Sequence, residues 1–495
     1  MILNKKKRFI FFMLLFWFFT FLAYPSTLRM VLDSMPMNLD PRVGTDQASQ
    51  RIHQIIFNGL FKKTKNFYVE KDLVENYKFL SSTKIYFKLR EGVFFHNGKE
   101  LTSDDVKWTF ESLLSRDFHT LRKGAFKSIK KIVKKGKYEL IFELKHPDSS
   151  LVYNLVIGII PAGAGKDFSN NPVGTGPFVF EKREHNTLFF RAYKRYFKGK
   201  PKIDELIIKV IKDPITRVLT LKKREADIAI NCIPPDFLKS IRGIRDLNIK
   251  KVAGNTMYYL GLNLKDPLLK NLDFRKALSY SINYRELIKF IMKGYARRAY
   301  GLLPPEHWAY TSNLKKFYFD LKKAKFYLKK SGFEEPTIEF KCANKKVSKR
   351  IAVALKYYWE RLGINVKIKI YEFSTFYRDI VNGNFQIYPL AWVGILSPDI
   401  YMYTSHSSYI PPAGANRAHY LNPEVDLLLE RALDSYDMIL LKNIYGKVER
   451  IVSEDIPFIP LWFADNIVVY NKRVKDISIY PSGEYYFLEK IKVED

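Results

Sequence analysis

The chain has 495 residues, 47% of them apolar, and its 83 basic against 51 acidic side chains give a net charge of +32. The apolar share excludes a disordered chain and is enough for about two to four domains or lobes. The basic surplus raises nucleic-acid or membrane-surface binding, but the lysines are spread through every segment, as in Lys322-Lys323 and Lys367-Ile368-Lys369, which fits a solvated surface and excludes a single basic tract.

Lys5-Lys6-Lys7-Arg8 precedes an apolar run from Phe9 to Tyr24, broken only by Thr20. A basic head and a short apolar stretch predict an export signal, since a spanning helix needs about 20 residues. Ala23-Tyr24-Pro25-Ser26 makes a poor cleavage site, so residues 1–26 are read as a signal peptide or as an uncleaved N-terminal anchor. No cysteine follows the run, which excludes a lipobox anchor. The chain is therefore expected outside the cytoplasm, periplasmic or at the cell surface.

A strand is predicted over Thr27–Leu32, then an irregular loop from Asp33 to Pro41. A short helix is predicted over Gln50–Leu60, with Ile52, Ile55, Ile56 and Leu60 on one face. Ile85, Phe87 and Leu89 alternate with polar neighbours as a half-buried strand, and Asn97-Gly98 predicts a two-residue hairpin turn with both residues at positive φ. Thr102 or Ser103 then caps a helix whose apolar face is Val106, Phe110, Leu113 and Leu114, with Asp104 and Asp105 at the positive end of its dipole. Strands follow at Tyr138–Leu144, Phe178–Glu181 and Leu188–Ala192, with Gly- and Pro-rich breaks at residues 161–165 and 173–177.

Ile203–Ile211, a helix over Ile215–Arg224 and Ala226–Ile230 form a β-α-β unit. Tyr258–Leu264 is a strand. Asp273 is expected to cap a helix running through Ser281, and Asn283 with Glu286 to form a capping box for the next. Helices are predicted at Asp320–Lys330 and Val347–Leu362, stopped by Gly332 and Gly363. Asn365–Tyr371 alternates as a strand. Asn422-Pro423 opens a helix over Glu424–Leu433, and another spans Ile439–Ile451 before closing strands. The class is mixed α and β, with lobes that interleave along the chain.

Motifs for chemistry are absent. Gly163-Ala164-Gly165-Lys166 is followed by Asp167 and preceded by Ile160 where a phosphate loop needs Ser or Thr and Gly. The eight histidines are dispersed, with His406 and His419 in one neighbourhood but no metal-ligand spacing. No metal site or cofactor is expected. Cys232 and Cys342 leave free thiols and a disulfide equally open.

Several strings taken in order carry a resemblance. They include Leu39-Asp40-Pro41, Phe57-Asn58-Gly59-Leu60, the segment Leu89 to Phe110, and Val173-Gly174-Thr175-Gly176-Pro177-Phe178. Tyr196 to Asp204, Phe274-Arg275-Lys276-Ala277-Leu278, Trp359 to Ile364 and Asn422-Pro423-Glu424-Val425-Asp426 continue it. Over roughly residues 28–470 the chain resembles the peptide- and nickel-type extracytoplasmic solute-binding proteins of ABC importers (family 5). The resemblance implies an α/β, two-lobed periplasmic-binding-protein-like fold (type II, cluster C) with an extra domain. It implies lobe I over 27–50, 171–264 and 464–495, extra domain II over 51–170 and lobe III over 265–463. It also implies no catalysis, a peptide or other small solute as ligand, a membrane permease as partner, no nucleic acid, and a monomer.

Ligand contacts implied by the resemblance are Ser34, Met35, Pro36 and Met37 after the first strand, and Trp392, Val393 and Gly394 on a cleft strand that binds an extended ligand through its backbone. Tyr258, Asn416 and Arg417 are further candidates. Ile395 stands where peptide binders of the family carry an Asp for the ligand's α-amino group. Asp399 is the nearest substitute. A buried ammonium without a partner is costly, so a nickel chelate, an oligosaccharide or an anionic small molecule stays beside peptide as the solute.

Overall fold

The computed structural model describes residues 25–494, so the predicted signal or anchor lies almost wholly outside the described residues. The central feature is a pair of long antiparallel strands, Leu247–Leu262 and Phe458–Asn471, in the middle of one large mixed sheet. On one side Phe458–Asn471 pairs with Ile228–Ile230, and Thr27–Leu32, Glu205–Val210, Thr187–Ala192 and Phe178–Glu184 follow. On the other side Leu247–Leu262 pairs with Ile387–Trp392, then Thr337–Ala343 and Asn365–Tyr371. Two lobes therefore share one sheet through two crossing strands.

Each half is built on parallel pairing. Thr27–Leu32 lies parallel to both Glu205–Val210 and Ile228–Ile230, so the predicted β-α-β unit carries the first strand between its own two. Thr337–Ala343 pairs in parallel with Asn365–Tyr371 and with Ile387. The core-facing residues of these strands are buried, while Asn365–Tyr371 at the sheet edge is exposed on its other face. Leu28, Met30, Leu206 and Ile208 pack in one lobe, and Ile338, Phe340, Ile351, Leu355 and Trp359 in the other. A four-stranded sheet of Val74–Ser81, Lys84–Leu89, Glu139–Leu144 and Ile129–Lys134 packs on helix Ser103–Leu114 around a separate core containing Phe87, Phe110 and Phe142.

Local signals are realised where their partners are close in sequence. Thr102 accepts from the Asp104 amide, and Asp105 reaches back to the Thr102 amide at 2.8 Å, completing a capping box. Asn365–Tyr371 has the predicted bounds. Other expectations need correction. Gly98 has φ +85 but Asn97 does not share the left-handed region; the Phe95 carbonyl accepts from the Gly98 amide and the Phe95 amide donates to Lys99, which makes a three-residue turn closed by a glycine bulge. Its arms are residues 93–95 and 99–101, while Lys84–Leu89 pairs elsewhere.

The first helix is Gln47–Ile56, capped by Asp46, and ends early because Phe57 turns extended and Leu60 enters hydrogen bonds with Asp72 and Val74. Asn271, not Asp273, caps Leu272–Tyr280, accepting from the amides of Asp273 and Phe274. The strand predicted from Tyr258 begins at Leu247. Cys232 and Cys342 are free, buried in different cores.

Candidate functional site

The crossing strands lose register between Val252 and Thr256. Gly254 sits in this break so close to its neighbour that a Cβ would lie 2.1 Å from the Ala464 carbonyl oxygen. Asn255 follows, 1% exposed. Its amide donates to the Pro481 carbonyl (3.1 Å) and its side-chain amide to the Ile395 carbonyl (2.7 Å). Asn466 on the partner strand donates to Pro481 as well (2.7 Å) and accepts from Asn231 at 2.7 Å. Three asparagines thus join both crossing strands, the 480–483 turn and the segment after Trp392.

Trp392 ends its strand opposite Met257. Its ring lies parallel to that of Tyr259, centroids 6.2 Å apart, and the Arg417 guanidinium sits 5.2 Å over its face. Arg417 donates to the hydroxyls of Tyr259 (3.3 Å) and Tyr377 (3.0 Å). No carboxylate pairs with it among the described residues, and its Nε is buried without a partner. Beyond Trp392 the chain leaves the sheet. Val393 is 53% exposed and Gly394 has φ +70, a conformation that favours glycine. No partner takes the amides of Val393 and Gly394 among the described residues.

The loop after the first strand has the same property. The amides of Ser34, Met35 and Met37 have no partner among the described residues. Met37 is 84% exposed, Pro36 is buried, and Met35 packs partly on the core. Ser34 lines a cavity of about 40 Å³ with Asp33, Arg51, Asn231 and Gly483. Asn231 belongs to the asparagine network, so both stretches of unpaired backbone adjoin the hinge.

The remaining candidates have internal partners. Tyr258 points to the opposite face from Tyr259 and stacks on Trp462 at 5.3 Å. Asp399 accepts from Ser397 (2.5 Å) and from the Tyr445 hydroxyl, and burial raises its pKa. It thereby ties the 397–399 turn to helix Met438–Asp455. Asn416 is fully buried; its amide nitrogen donates to the carbonyls of His406 and Tyr420, and its oxygen accepts from the Tyr420 amide. His406 bonds to Ser408 and Glu430. No group of three or more metal-ligating side chains occurs among the described residues. Tyr259, Asn255 and Asn231 carry no local signal in the sequence that marks them for the site; Tyr259, next to the candidate Tyr258, is the one whose face meets Trp392.

The family model for bacterial extracellular solute-binding proteins, family 5 (middle segment), matches residues 69–410. The chain is similar to the oligopeptide-binding protein AppA of Bacillus subtilis (strain 168), 28% identical over 480 residues, covering 90% of this chain and 88% of the relative. Among solved structures it is similar to AppA from Bacillus subtilis in complex with a nonapeptide, with a TM-score of 0.80, 25% identity, and 95% and 100% of the two chains covered. NikZ from Campylobacter jejuni in complex with Ni(L-His) shares the fold, with a TM-score of 0.81, 23% identity, and 94% and 99% covered.

Proposed function

The chain belongs to the bacterial extracellular solute-binding proteins of family 5, and we propose that it captures a peptide at the crossing strands between its lobes and delivers it to an ABC importer. The observation that carries this is the pair of unpaired backbone stretches at the hinge, Ser34–Met37 and Val393–Gly394. These amides are free to pair with a ligand, and an extended peptide can take them as an added strand. The similarity to an oligopeptide-binding relative favours peptide over other solutes.

In this proposal Ser34, Met35, Met37, Val393 and Gly394 take the ligand backbone, Pro36 shapes the loop, and Trp392 is the wall. Tyr259 and Arg417 brace that wall from behind. Tyr258, Asp399 and Asn416 support the cleft from within the lobes. Lobe I takes residues 27–50, 171–264 and 464–495, the extra domain 51–170 and lobe III 265–463; the separate core around Phe87, Phe110 and Phe142 supports the extra domain, while Ile52, Ile55 and Ile56 pack into the lobe I core across the boundary. The protein is a monomeric carrier without catalysis or nucleic-acid binding, exported behind residues 1–26, and its closed form docks on a permease. Among the described residues no helix is long and apolar enough to cross a membrane.

One observation favours a second reading, a non-peptide solute such as a nickel chelate, an oligosaccharide or an anionic small molecule. Ile395 is 5% exposed and offers no carboxylate to an α-amino group. Thermal unfolding of the exported chain with peptide pools and with these solutes separates the two. A ligand bound only by the folded state stabilises it by about 2.7 kcal/mol at 100 Kd. Stabilisation by peptides is expected; stabilisation by another solute with no response to any peptide would reverse the assignment.

A further inference from the structure

Lysines occur throughout the chain, but on one helix of lobe III they combine with exposed aromatic rings. Residues 315–330 hold seven lysines in sixteen positions, against 83 basic residues in 495 for the chain, and one acid, Asp320. Helix Leu321–Ser331 begins here, capped by Asp320, which accepts from the Lys323 amide at 3.0 Å. Its inner face is Ala324, Leu328 and Ser331, with Tyr327 stacked on Tyr280 of helix Leu272–Tyr280 at 5.6 Å. Residues three and four apart share a helix face, so Lys322, Lys325, Phe326 and Lys329 lie together on the outer one. All four are exposed, Phe326 by 61%. Just before the helix, Tyr318 and Phe319 are exposed as well.

The acids nearby are already engaged. Asp320 also faces the Lys323 ammonium at 3.6 Å, and Asp273 takes Lys276 at 3.7 Å and Lys330 at 3.3 Å, which leaves Lys322, Lys325 and Lys329 without a carboxylate among the described residues. The helix packs on the core that holds Trp359, whereas Trp392 packs on a different one, so this face lies apart from the proposed solute site. Lysines alone need only water. A phenyl ring set among three unpaired lysines matches a surface that is anionic outside and apolar beneath.

We propose that the outer face of helix Leu321–Ser331, with Tyr318 and Phe319, docks the carrier on the surface of an anionic phospholipid bilayer. The lysines meet the headgroup phosphates and Phe326 enters the boundary below them. The charges are complementary: each lysine near such a surface is worth about fivefold in binding, so three are worth about a hundredfold, and salt screens them. Duplex DNA would satisfy the lysines but leave Phe326 in water. The face is present whatever the solute, so its test needs none and is independent of the solute assignment.

The reactivity of each lysine toward an acetylating reagent is read by mass spectrometry on the full chain. The chain is mixed with vesicles of equal parts phosphatidylcholine and phosphatidylglycerol, or of phosphatidylcholine alone, at low and high NaCl. Lys322, Lys325 and Lys329 should lose reactivity on the anionic vesicles, keep it on the neutral ones and regain it at high salt. The exposed Lys78 of the extra domain and Lys223 of lobe I should stay reactive throughout. Comparing lysines within one molecule makes the readout valid whether or not residues 1–26 anchor the chain. At a fixed lipid concentration Phe326→Ser should weaken the protection of Lys323, and Lys322→Gln, Lys325→Gln and Lys329→Gln together should abolish it. Should a variant not fold, the pattern on the unmodified chain decides. Unchanged reactivity on anionic vesicles overturns the proposal, and so does equal protection of Lys78 and Lys223, which would mean attraction by overall charge. Protection by duplex DNA but not by vesicles would give the face to nucleic acid and overturns it too.

Discussion

Glu449 is 1% exposed in lobe III, where the Tyr401 hydroxyl (2.9 Å) and the Thr311 amide (3.0 Å) donate to it and no cation pairs with it among the described residues. Burial pushes its pKa from 4.5 up to about 8. The folded chain therefore holds a proton that the unfolded chain releases. Stability from this residue is fully present below about 4.5 and is lost as pH rises toward 8, at up to about 1.4 kcal/mol per unit. Glu449→Gln keeps the shape and removes the titration. The variant should gain stability relative to the unmodified chain as pH rises from 4.5 to 8, with the gap constant above; a gap independent of pH by urea unfolding would show that Glu449 is solvated. His53 acts on the acid side. Burial, with the Arg122 charge, depresses its pKa to about 3, so its contribution is lost as pH falls from 6.5 toward 3.

At the scale of elements the crossing strands hold the two halves of the sheet together and carry the proposed site. A Cβ on Gly254 would meet the Ala464 carbonyl at 2.1 Å, against backbone that cannot rotate away. Gly254→Ala should push the strands apart and destabilise the chain by about 1–3 kcal/mol, the usual cost of overpacking. Asn255→Ala should release the Ile395 carbonyl, destabilising the chain by about 1–3 kcal/mol, the cost of a buried acceptor left unpaired, and weakening solute binding; unchanged affinity would place the ligand away from this segment. The same strand marks the limit of what the sequence discloses. Thr102, Asp320 and Asn422 cap helices through partners two or three residues away, so their helices are legible from spacing. Leu247 to Thr256 includes Lys250-Lys251 and Gly254-Asn255, whose environment changes from sheet to hinge, and no period-2 pattern survives. The site is split in the same way. Trp392 and the loop at Ser34 are candidates through resemblance, while the Tyr259–Trp392–Arg417 stack sets Tyr259 against residues more than 100 positions away and has no local signature.

For the molecule as a whole, the proposed lobe opening would act on the seam between the proposed extra domain and lobe III. Phe67 stands at the tip of the hairpin made by Phe61–Lys63 and Val69–Lys71, with φ +63 and 1% exposure. It is buried not in its own domain's core but among lobe III residues, its ring 5.3 Å from His307. Tyr68 stacks on Trp308 at 6.0 Å, Phe79 on Tyr436 at 3.9 Å, and Ser149 donates to the Ala432 carbonyl at 3.0 Å, all across the same seam. If the proposed lobes open along this seam, Phe67 is exposed, and its burial then stabilises the closed form alone. Phe→Ala in a core costs about 3–5 kcal/mol, and each 1.4 kcal/mol is about tenfold in a two-state equilibrium. Phe67→Ala should therefore shift the solute-free chain toward the open form by about a hundredfold or more. Small-angle scattering should show a larger radius of gyration than the unmodified chain without solute, returning to the compact value at saturation. Solute affinity should fall at least tenfold, because closure must then be driven by the ligand. A lower unfolding midpoint with unchanged radius and affinity would mean that Phe67 packs a seam that never opens.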